Sequence, residues 1–407
     1  MIPLEVSILE GLGELDARSD RVTGVQVDSR RIQPGDLFVT VGRGAEFRED
    51  ALARGAAATL VPADAFGALA EIGRTVRDRS GARVVGITGS MGKTSTKDIL
   101  AALSTPVART VAAEASFNNE IGVPLTLCRL EPDTEVCILE LAMRGFGQIA
   151  ALCEIARPEI GVITNVGPVH LELVESLEGV VRAKGELVAA LPAGGTAIVP
   201  EDFPIERKDL NVVRLGEPGA QLEDGRTVID GVSFNFAARH HVKNAAAALA
   251  AFDALGLPRP DRVDVDFSRW RGEEGELAGG GLLINDAYNA NPVSMRAALA
   301  YLAERAGGRR RVAILGDMAE LGRTAPDYHR EVGEAAVELG VDELLAVGQL
   351  ARGYLGAGVP GRWVPNVHEA LRELDEVVSP GDAVLVKASR AMGLEAVAEA
   401  LAKVHAA

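Results

Sequence analysis

The sequence predicts an α/β protein of three open domains, in which a central parallel sheet carries a phosphate-binding loop. At 407 residues the chain is too long for one ordinary hydrophobic core. Apolar runs of strand length alternate with longer helix-like stretches, which favours mostly parallel sheets covered on both faces. One run leads directly into a glycine-rich turn with a lysine. Ligands should therefore gather at the carboxyl ends of the strands.

The first block, residues 1–82, contains short β-like runs separated by turn signals. A charged helix-like segment, Ala68–Arg79, closes the block. We interpret it as an N-terminal domain. Its strand candidates are Val22–Val27, Leu37–Val41 and Ala58–Val61.

The second block, residues 83–272, repeats strand and helix and is predicted to be a P-loop ATPase-like domain. Residues 200–235 have the pattern of a small β-rich insertion. The strand candidates after the first are Val136–Leu141 and Ile160–Asn165, and the helix candidates are Leu177–Ala190 and Val242–Leu255.

The Gly/Glu-rich stretch Gly272–Gly281, which we interpret as a hinge, lies at the start of the third block, residues 273–407. The pattern of this block predicts a second, smaller doubly wound domain of Rossmann-like type. The strand candidates are Leu282–Ile284, Val312–Leu315, Glu343–Val347 and Ala383–Val386. The helix candidates are Pro292–Ala306, His329–Leu339, Val367–Val377 and Leu394–Val404.

Composition argues against several partners. The net charge of −16 disfavours nucleic acid, so a polyanionic ligand must be held by local donors. Cys128, Cys137 and Cys153 lack metal-type spacing and are expected to be buried free thiols in a reducing compartment. No basic N-terminal region precedes a long apolar run, and no stretch of 18 apolar residues occurs. We therefore expect a cytoplasmic protein without membrane insertion.

The segment Arg83–Leu100 carries the strongest motif. An apolar strand enters Gly89-Ser90-Met91-Gly92-Lys93-Thr94-Ser95, and a helix-forming run follows. The glycines let backbone N–H groups converge on phosphate oxygens, Lys93 adds a positive charge, and Thr94 can hold Mg²⁺. Ile87 stands where the common Walker A motif has a glycine. The agreement of strand, loop and helix signals still favours a nucleotide phosphate over a plain surface turn.

Three residues of the second block have both a functional and a structural interpretation. Glu140 ends a strand candidate, where nucleotide enzymes place a magnesium ligand, although surface and N-capping glutamates are common. His170 lies past another strand and a Gly-Pro turn, and a lone histidine is more often structural. Lys184 lies on an apolar helix face, where an ammonium is costly unless it is paired, modified or extended to solvent.

Two polar segments follow strand candidates of the third block. In the first, Asp286 offers an acceptor to a ribose hydroxyl, but Asn and Asp before Pro are also common turn formers and helix caps. The second suits a carboxylate ligand, with a solvated turn as the alternative. The segments are Asn285-Asp286-Ala287-Tyr288-Asn289-Ala290-Asn291-Pro292 and Lys387-Ala388-Ser389-Arg390.

Together these motifs resemble the Mur ligase family, the ATP-dependent amino-acid or peptide ligases of bacterial cell-wall synthesis. The resemblance covers nearly the whole chain, and the P-loop form with Ile87 is usual in this family. Two segments, Asn285–Pro292 and Gly316–Gly322, resemble the subtype that adds D-alanyl-D-alanine to UDP-N-acetylmuramoyl-tripeptide. The other carriers are Asp28–Arg30, Pro34–Phe38, Gly86–Thr94, Asn118–Pro124, Glu140, Asn165–His170, Ala183–Glu186, Arg239–His240 with Asn244, and Lys387–Arg390.

The resemblance implies a role for each matching position. Substrate contacts fall to Ser29 and Arg30 for the UDP-sugar, and to Asn119, Lys387, Ser389 and Arg390. The triphosphate would be bound by Gly89, Ser90, Met91, Gly92, Lys93, Thr94 and Ser95, with Asn244 at adenine and Asp286 and Asn289 at the ribose or phosphates. Mg²⁺ would be held by Thr94, Glu140 and His170, with Lys184 as a carbamate that bridges toward the metal.

The implied reaction transfers a phosphoryl group from ATP to the terminal carboxylate of the tripeptide. The amine of D-alanyl-D-alanine then attacks the acyl phosphate. Lys93, Lys184, His170 and Glu140 would be the catalytic residues, and closure of the third domain would exclude water. The resemblance also implies a monomer.

Some positions depart from the family pattern. His241 replaces a second asparagine at the adenine site, Ala238 and Ala388 replace glycines, and Gly44–Arg48 replaces an Asp-Gly-His stretch. The expected Gly-Arg near the hinge appears as Arg271-Gly272, which leaves a phosphate-facing arginine unassigned.

Three alternatives stay open. A sister ligase for diaminopimelate or lysine would carry Asp-Asn-Pro-Arg, which we do not find in the third block. Folylpolyglutamate synthetase is not expected to carry the Asn285–Pro292 run. The third alternative is a nucleotide-gated binding protein that no longer catalyses.

Overall fold

The computed structural model describes residues 1–115 and 117–404, which form two compact units. The first unit comprises Met1–Asn165, Arg182–Phe236 and Val242–Val265. The second comprises Val166–Val181, Ala237–His241 and the chain from Asp266 onward. The predicted fold class is confirmed, whereas the domain boundaries after residues 82 and 272 stay a prediction.

The central sheet of the first unit has six strands, and every neighbouring pair is parallel. The P-loop strand, Arg83–Thr88, lies between Ile160–Ile163 and Val136–Glu140. Both neighbours are buried along their whole length, which explains why they are continuous apolar runs. The spatial order is Asn211–Leu215, Thr196–Pro200, Ile160–Ile163, Arg83–Thr88, Val136–Glu140, Thr110–Ala112.

Three smaller sheets complete the strands of the first unit. One has the order Gly13–Ala17, Ala58–Pro62, Asp36–Val39, Gly24–Gln26, and a second pairs Leu4–Glu5 with Arg21–Val22. The third has the order Ala220–Glu223, Arg226–Ile229, Val232–Phe234, Arg262–Val263 and contains the predicted insertion. The strand Asn211–Leu215 was expected in that insertion but joins the central sheet, because it pairs in parallel with Thr196–Pro200.

The longer helices agree closely with the predicted pattern. Four helices were not predicted: Arg48–Ala53, Gly122–Leu127, Gln148–Ala156 and Leu171–Val174. The α-helices are Arg48–Ala53, Ala65–Asp78, Lys93–Ser104, Gly122–Leu127, Gln148–Ala156, Leu171–Val174, Leu177–Ala190, Arg239–Ala254, Pro292–Arg305, Ala325–Glu338, Val367–Val377 and Glu395–Val404. The short 3₁₀ helices are Val6–Leu9, Ser29–Arg31, Gly42–Phe47, Ala278–Gly280, Gly322–Thr324, Ala351–Ala357 and Arg390–Met392.

The sheet of the second unit is doubly wound, as predicted. Alternate residues of one strand face opposite cores: Val312 and Ile314 pack on one side, and Ala313 and Leu315 on the other. All pairs are parallel except the first, which is antiparallel. The order is Glu273–Leu277, Gly281–Asn285, Ala383–Lys387, Arg311–Gly316, Glu343–Val347, Gly361–Val364.

The interpretation of Gly272–Gly281 as a hinge is wrong. The strand Glu273–Leu277 pairs with Gly281–Asn285, so this segment is one arm of a hairpin. Gly279 and Gly280 have φ angles of +68° and +76°, a left-handed conformation that a glycine adopts at little cost. The glycines therefore make a tight turn.

The cysteines are free and buried, as predicted, and burial raises the pKa of each thiol to about 12. Within residues 1–115 and 117–404, no helix is long and apolar enough to cross a membrane.

Candidate active site

Two glycines shape the P-loop because polar side chains approach it closely. Gly89 and Gly92 have φ angles of +153° and +78°. A Cβ atom on Gly89 would lie 1.9 Å from the Thr164 hydroxyl, and one on Gly92 would lie 2.1 Å from Oδ1 of Asn244. The structure thus places Asn244, the predicted adenine contact, against the loop.

The neighbouring strand Ile160–Ile163 holds the middle of the loop through the two residues that follow it. Thr164 Oγ1 donates to the carbonyl of Met91 at 2.6 Å. Asn165 makes a two-way contact with the same residue: its amide nitrogen donates to the Met91 carbonyl at 3.1 Å, and its Oδ1 accepts from the Met91 N–H at 3.0 Å. Thr164 was not predicted, and no local motif marks it.

The P-loop lysine bends back over its own loop. Lys93 Nζ donates to the carbonyl of Gly89 at 2.8 Å, so the ammonium is held where the loop begins. Ser90 and Ser95 are nearly fully buried beside it. This arrangement concentrates backbone donors and one positive charge at the start of a helix, which suits a phosphate.

A buried carboxylate lies beside the P-loop threonine. Thr94 Oγ1 donates to Oε2 of Glu140 at 2.6 Å, and Asn118 Nδ2 donates to Oε1 at 2.8 Å. Glu140 is 1% exposed, and no lysine, arginine or histidine of the described chain forms an ion pair with it. Ionising a buried carboxyl without a cation is costly, so this position favours a positively charged ligand. Asn118 was not predicted as a site residue.

Lys184 does not extend to solvent. Its side chain lies on the helix Leu177–Ala190 and is 2% exposed, and no residue within the described ranges forms a hydrogen bond or ion pair with it. Burial, and next the charge of Lys93, hold the pKa of this amine well below its usual range. Burial therefore favours the uncharged form of the Lys184 amine.

The nearby Glu186 has a separate, structural role. Its carboxylate accepts the backbone N–H groups of Gly147 at 2.6 Å and Ala150 at 3.0 Å. These are orphan donors at the start of the helix Gln148–Ala156, so Glu186 caps that helix from a distance.

The predicted substrate residues of the first unit differ in accessibility. Arg30 is 81% exposed and pairs with Asp28 at 2.7 Å, and its hydrogen bonds lower the pKa of Asp28 to about 2. Ser29 is buried, and its hydrogen bond lowers the pKa of Asp50. Asn119 Oδ1 accepts from the Gly122 N–H at 3.0 Å and caps the helix Gly122–Leu127.

His170 belongs to the second unit and has a carboxylate partner there. Its Nδ1 lies 2.6 Å from Oε2 of Glu320. His170 and Glu320 have φ angles of +53° and +63°, which non-glycine residues rarely adopt. Backbone outliers of this kind are frequent at functional sites. The role of His170 as a metal ligand stays a prediction.

The Asn285–Pro292 and Lys387–Arg390 segments follow adjacent strands and bind each other. Lys387 Nζ donates to Oδ2 of Asp286 at 2.6 Å and to the carbonyl of Asn289 at 2.8 Å. The Lys387 side chain is 3% exposed. Asn291 caps the helix Pro292–Arg305. Lys387, Asp286 and Asn291 therefore stabilise the local fold of these two segments.

Ser389 and Arg390 are held in different ways. Ser389 is buried, and its Oγ accepts from the Ala319 N–H at 2.8 Å. Arg390 is half exposed, donates to Oε1 of Glu395 at 2.5 Å, and places its guanidinium carbon 4.6 Å from the centre of the Trp270 ring. Of the predicted dipeptide contacts in this segment, Arg390 is the one that reaches solvent.

A buried histidine and tyrosine support the Gly316–Gly322 segment and were not predicted. Nε2 of His329 accepts from the Met318 N–H at 3.0 Å, so its Nδ1–H donates to the Ala325 carbonyl at 2.6 Å. The Tyr354 hydroxyl donates to the Gly316 carbonyl at 2.8 Å, and the two rings stack at 5.0 Å. Burial lowers the pKa of His329, which keeps it neutral.

The structure shows the surroundings of two positions that depart from the family pattern. Trp270 has a φ angle of +62°, the left-handed conformation that favours glycine, so Trp270-Arg271 has the backbone form expected of Gly-Arg. Arg271 lies 4.0 Å from the ring centre of Tyr288. His241 stacks on Phe267, with ring centres 4.2 Å apart.

Family models match two parts of the chain. Residues 87–252 match the Mur ligase middle domain, and residues 271–390 match the glutamate ligase domain of Mur ligases.

Relatives match nearly the full length. The UDP-N-acetylmuramoyl-tripeptide–D-alanyl-D-alanine ligase of Mycobacterium tuberculosis is 35% identical, over 95% of this chain and 93% of its own length. The corresponding enzyme of Escherichia coli K12 is 33% identical, over 98% and 99%. That of Bacillus subtilis is 30% identical, over 93% of both.

Solved structures agree with these matches. MurF from Acinetobacter baumannii superimposes with a TM-score of 0.86 at 28% identity, covering 98% of this chain and 99% of that one. MurF from Thermotoga maritima in complex with ADP gives 0.79 at 26% identity, covering 94% and 97%. A folylpolyglutamate synthase/dihydrofolate synthase from Yersinia pestis gives 0.61 at 18% identity over 81% of this chain and 92% of that one, a likeness of fold alone.

Proposed function

The chain belongs to the Mur ligase family, and from that premise we propose that it joins D-alanyl-D-alanine to UDP-N-acetylmuramoyl-tripeptide in peptidoglycan precursor synthesis. It is an ATP-dependent ligase that forms a C–N bond. The similarity over nearly the full chain carries the assignment, and the Asn285–Pro292 and Gly316–Gly322 segments, at the ends of two strands of one sheet, support it.

The P-loop is the proposed binding site of the ATP phosphates. Backbone N–H groups between Gly89 and Ser95 and the ammonium of Lys93 supply donors and positive charge. Asn244, which lies against Gly92, is the proposed contact of the adenine. An ADP complex is known for the related Thermotoga maritima MurF.

The chemistry of the Thr94–Glu140 pair fits Mg²⁺. A hydroxyl and a carboxylate are hard oxygen donors, and Mg²⁺ is usually bound by one or two carboxylates together with water and substrate phosphates. The described residues contain no cluster of three or more His, Cys, Asp or Glu, which agrees with a site completed by phosphate and water. Bound there, Mg²⁺ would neutralise charge on the transferring phosphoryl group. His170 is proposed as a further ligand.

Lys184 is proposed to be carbamylated. A neutral amine attacks CO₂, the new N–C bond forms, and one proton is released to solvent. The product carries a carboxylate, so a buried amine becomes an anion able to face Mg²⁺. The lowered pKa of Lys184 supports this proposal, because only the unprotonated amine is a nucleophile.

The proposed reaction has two steps. The terminal carboxylate of the tripeptide attacks the γ-phosphorus of ATP, and ADP leaves. The free amine of D-alanyl-D-alanine then attacks the acyl carbon, phosphate leaves, and the nitrogen loses a proton. Lys93 stabilises charge on the phosphoryl oxygens, and the fixed donors of the P-loop orient them.

The remaining roles are proposed by block. Residues 1–82 would bind the UDP-sugar near Ser29 and Arg30, residues 83–272 would bind ATP, and residues 273–407 would bind the dipeptide. Arg390 is proposed to contact the carboxylate of the dipeptide. Asp286 and Asn289 are proposed to contact the nucleotide. Asn119, Lys387 and Ser389 would shape these sites through the contacts they already make. We propose a cytoplasmic monomer.

Phosphate release tests the assignment. Purified protein with ATP and Mg²⁺ is given UDP-muramoyl acceptors that end in the dipeptide or the tripeptide, together with D-alanyl-D-alanine or single amino acids. We expect release only with the tripeptide acceptor and D-alanyl-D-alanine. Release that depends on a single amino acid would identify a sister ligase, and nucleotide binding without release would identify an inactive binding protein.

A further inference from the structure

We infer that Trp270 is a positioning residue for the incoming dipeptide. Its ring holds the Arg390 guanidinium in place, so that the free edge of the guanidinium binds the C-terminal carboxylate of D-alanyl-D-alanine. The inference rests on the proposed function and adds one residue to it.

The backbone of Trp270 indicates a specific contact. Its φ angle of +62° is uncommon for a residue with a large side chain, because the Cβ atom crowds the following carbonyl oxygen. Such a conformation persists where the surroundings compensate for it. At this position the guanidinium carbon of Arg390 lies over the indole ring, 4.6 Å from its centre, and that of Arg269 lies farther away at 5.7 Å.

Arg390 is held on two sides and open on a third. Oε1 of Glu395 accepts from Nη1 at 2.5 Å, and the Trp270 ring covers one face. The side chain remains 50% exposed. A guanidinium has five N–H donors in a planar fork, so the nitrogens that Glu395 does not use can bind a carboxylate through two parallel hydrogen bonds.

Hydrogen bonds fix the backbone of Trp270 within the second unit. The Trp270 carbonyl accepts from the Tyr288 N–H at 3.3 Å, and the Trp270 N–H donates to Oε2 of Glu273 at 3.3 Å. Trp270 therefore connects the Asn285–Pro292 segment to the Lys387–Arg390 turn. Since neighbouring groups fix its backbone, its ring orients Arg390 more firmly than a solvated turn would.

The chemistry of the dipeptide selects the carboxylate as the ligand. Its amino group must stay free to attack the acyl phosphate, so a charged anchor can act only at the other end. Within the Lys387–Arg390 segment, Lys387 is committed to Asp286 and Ser389 to Ala319. Arg390 is the exposed cation of that segment.

The test is discrimination between D-alanyl-D-alanine and its C-terminal amide, measured as the ratio of their kcat/KM values. We expect the wild type to favour the acid by about tenfold to a hundredfold, the range for loss of a charged hydrogen-bonded pair. Arg390→Met should bring the ratio close to one. Trp270→Leu and Trp270→Gly should lower it by roughly threefold to thirtyfold, and Trp270→Phe should restore most of it.

Trp270→Gly separates the ring from the backbone strain, since glycine accepts the same φ angle without its cost. The matched control is Arg352→Met, because Arg352 lies 5.3 Å from the ring centre of Trp363 in the same unit. That variant should leave the ratio unchanged, and the KM for ATP should be unchanged in all variants. An unaltered ratio in Trp270→Gly and Trp270→Leu, with dipeptide-dependent phosphate release intact, overturns the inference alone. Absence of that release in the wild type overturns the proposed function and the inference with it.

Discussion

The P-loop of the first unit and the polar cluster of the second lie at the carboxyl ends of parallel strands, but they treat charge in opposite ways. Glu140 and Lys184 are buried without an opposite charge among the described residues, and burial holds the pKa of the lysine well below its usual range. In the second unit, the buried Lys387 is paired with Asp286. The exposed guanidinium of Arg390, in the same polar cluster, lies over the ring of Trp270.

This difference distinguishes residues whose charge a bound ligand would balance from residues whose charge is already balanced within the protein. A buried charge without a partner costs free energy in the empty protein, so a ligand must supply the balance. A satisfied pair costs little and holds a loop in one conformation. The two regions should therefore respond differently to substitution: the first in activity, the second in stability and substrate affinity.

Lys93→Ala should give the largest effect. We expect ATP-dependent phosphate release to fall about a thousandfold, because a fixed positive charge at the transferring phosphoryl group is lost. Phosphate release measures the effect, and circular dichroism should show an unchanged fold. Lys208→Ala, an exposed lysine of the same unit, is the control and should be close to wild type. Unchanged turnover in Lys93→Ala would remove the P-loop from the mechanism.

Lys184→Ala should lower activity by about a hundredfold, the upper range for removing a group that acts through a metal ligand. Because the proposed carbamate is a carboxylate on a long stem, short-chain carboxylic acids should restore part of this activity, whereas added bicarbonate should have little effect on the variant. The measurement is phosphate release against acid concentration. Lys184→Arg cannot form a carbamate and is the matched control, so full activity in that variant would contradict the proposal.

His329→Phe should change stability more than chemistry. The variant leaves the buried Met318 N–H without its acceptor, which costs about 2 kcal/mol at pH 7.5. Because burial lowers the pKa of His329, the wild type keeps the full benefit above the ordinary histidine value and loses it as the pH falls. The difference between variant and wild type should therefore shrink toward pH 5.

Urea unfolding followed by tryptophan fluorescence measures this difference, since both tryptophans, Trp270 and Trp363, belong to the second unit. His368→Phe, at an exposed histidine of the same unit, is the control and should change the free energy of unfolding by less than about 0.5 kcal/mol at either pH. A pH-independent difference for His329→Phe would show that the imidazole is not held neutral.

Most of the fold followed from local pattern. Buried parallel strands must be apolar along their length, and the runs at Ile160 and Val136 showed this directly. The hairpin at Gly272–Gly281 was missed because its strand, Glu273–Leu277, lies at an edge and is largely exposed, so glutamates and glycines concealed it. The strand Asn211–Leu215 is also an exposed edge strand, and pairing alone places it in the central sheet.

The candidate site divides in the same way. Gly89, Gly92, Lys93 and Thr94 could be found because a phosphate-binding loop is contiguous in sequence. Asn118, Thr164, His329 and Trp270 could not, because each acts on a residue far from it in the chain or through a backbone angle.

By itself, the sequence determined the α/β class, the P-loop and the family, because each depends on short-range periodicity or on contiguous motifs. Tertiary structure decided which polar residues are free for a ligand. Lys184 had two open interpretations until burial removed the solvent route, and Lys387 and Ser389 proved to be committed to other segments. Burial and pairing depend on what the rest of the chain brings close, so no local pattern reports them.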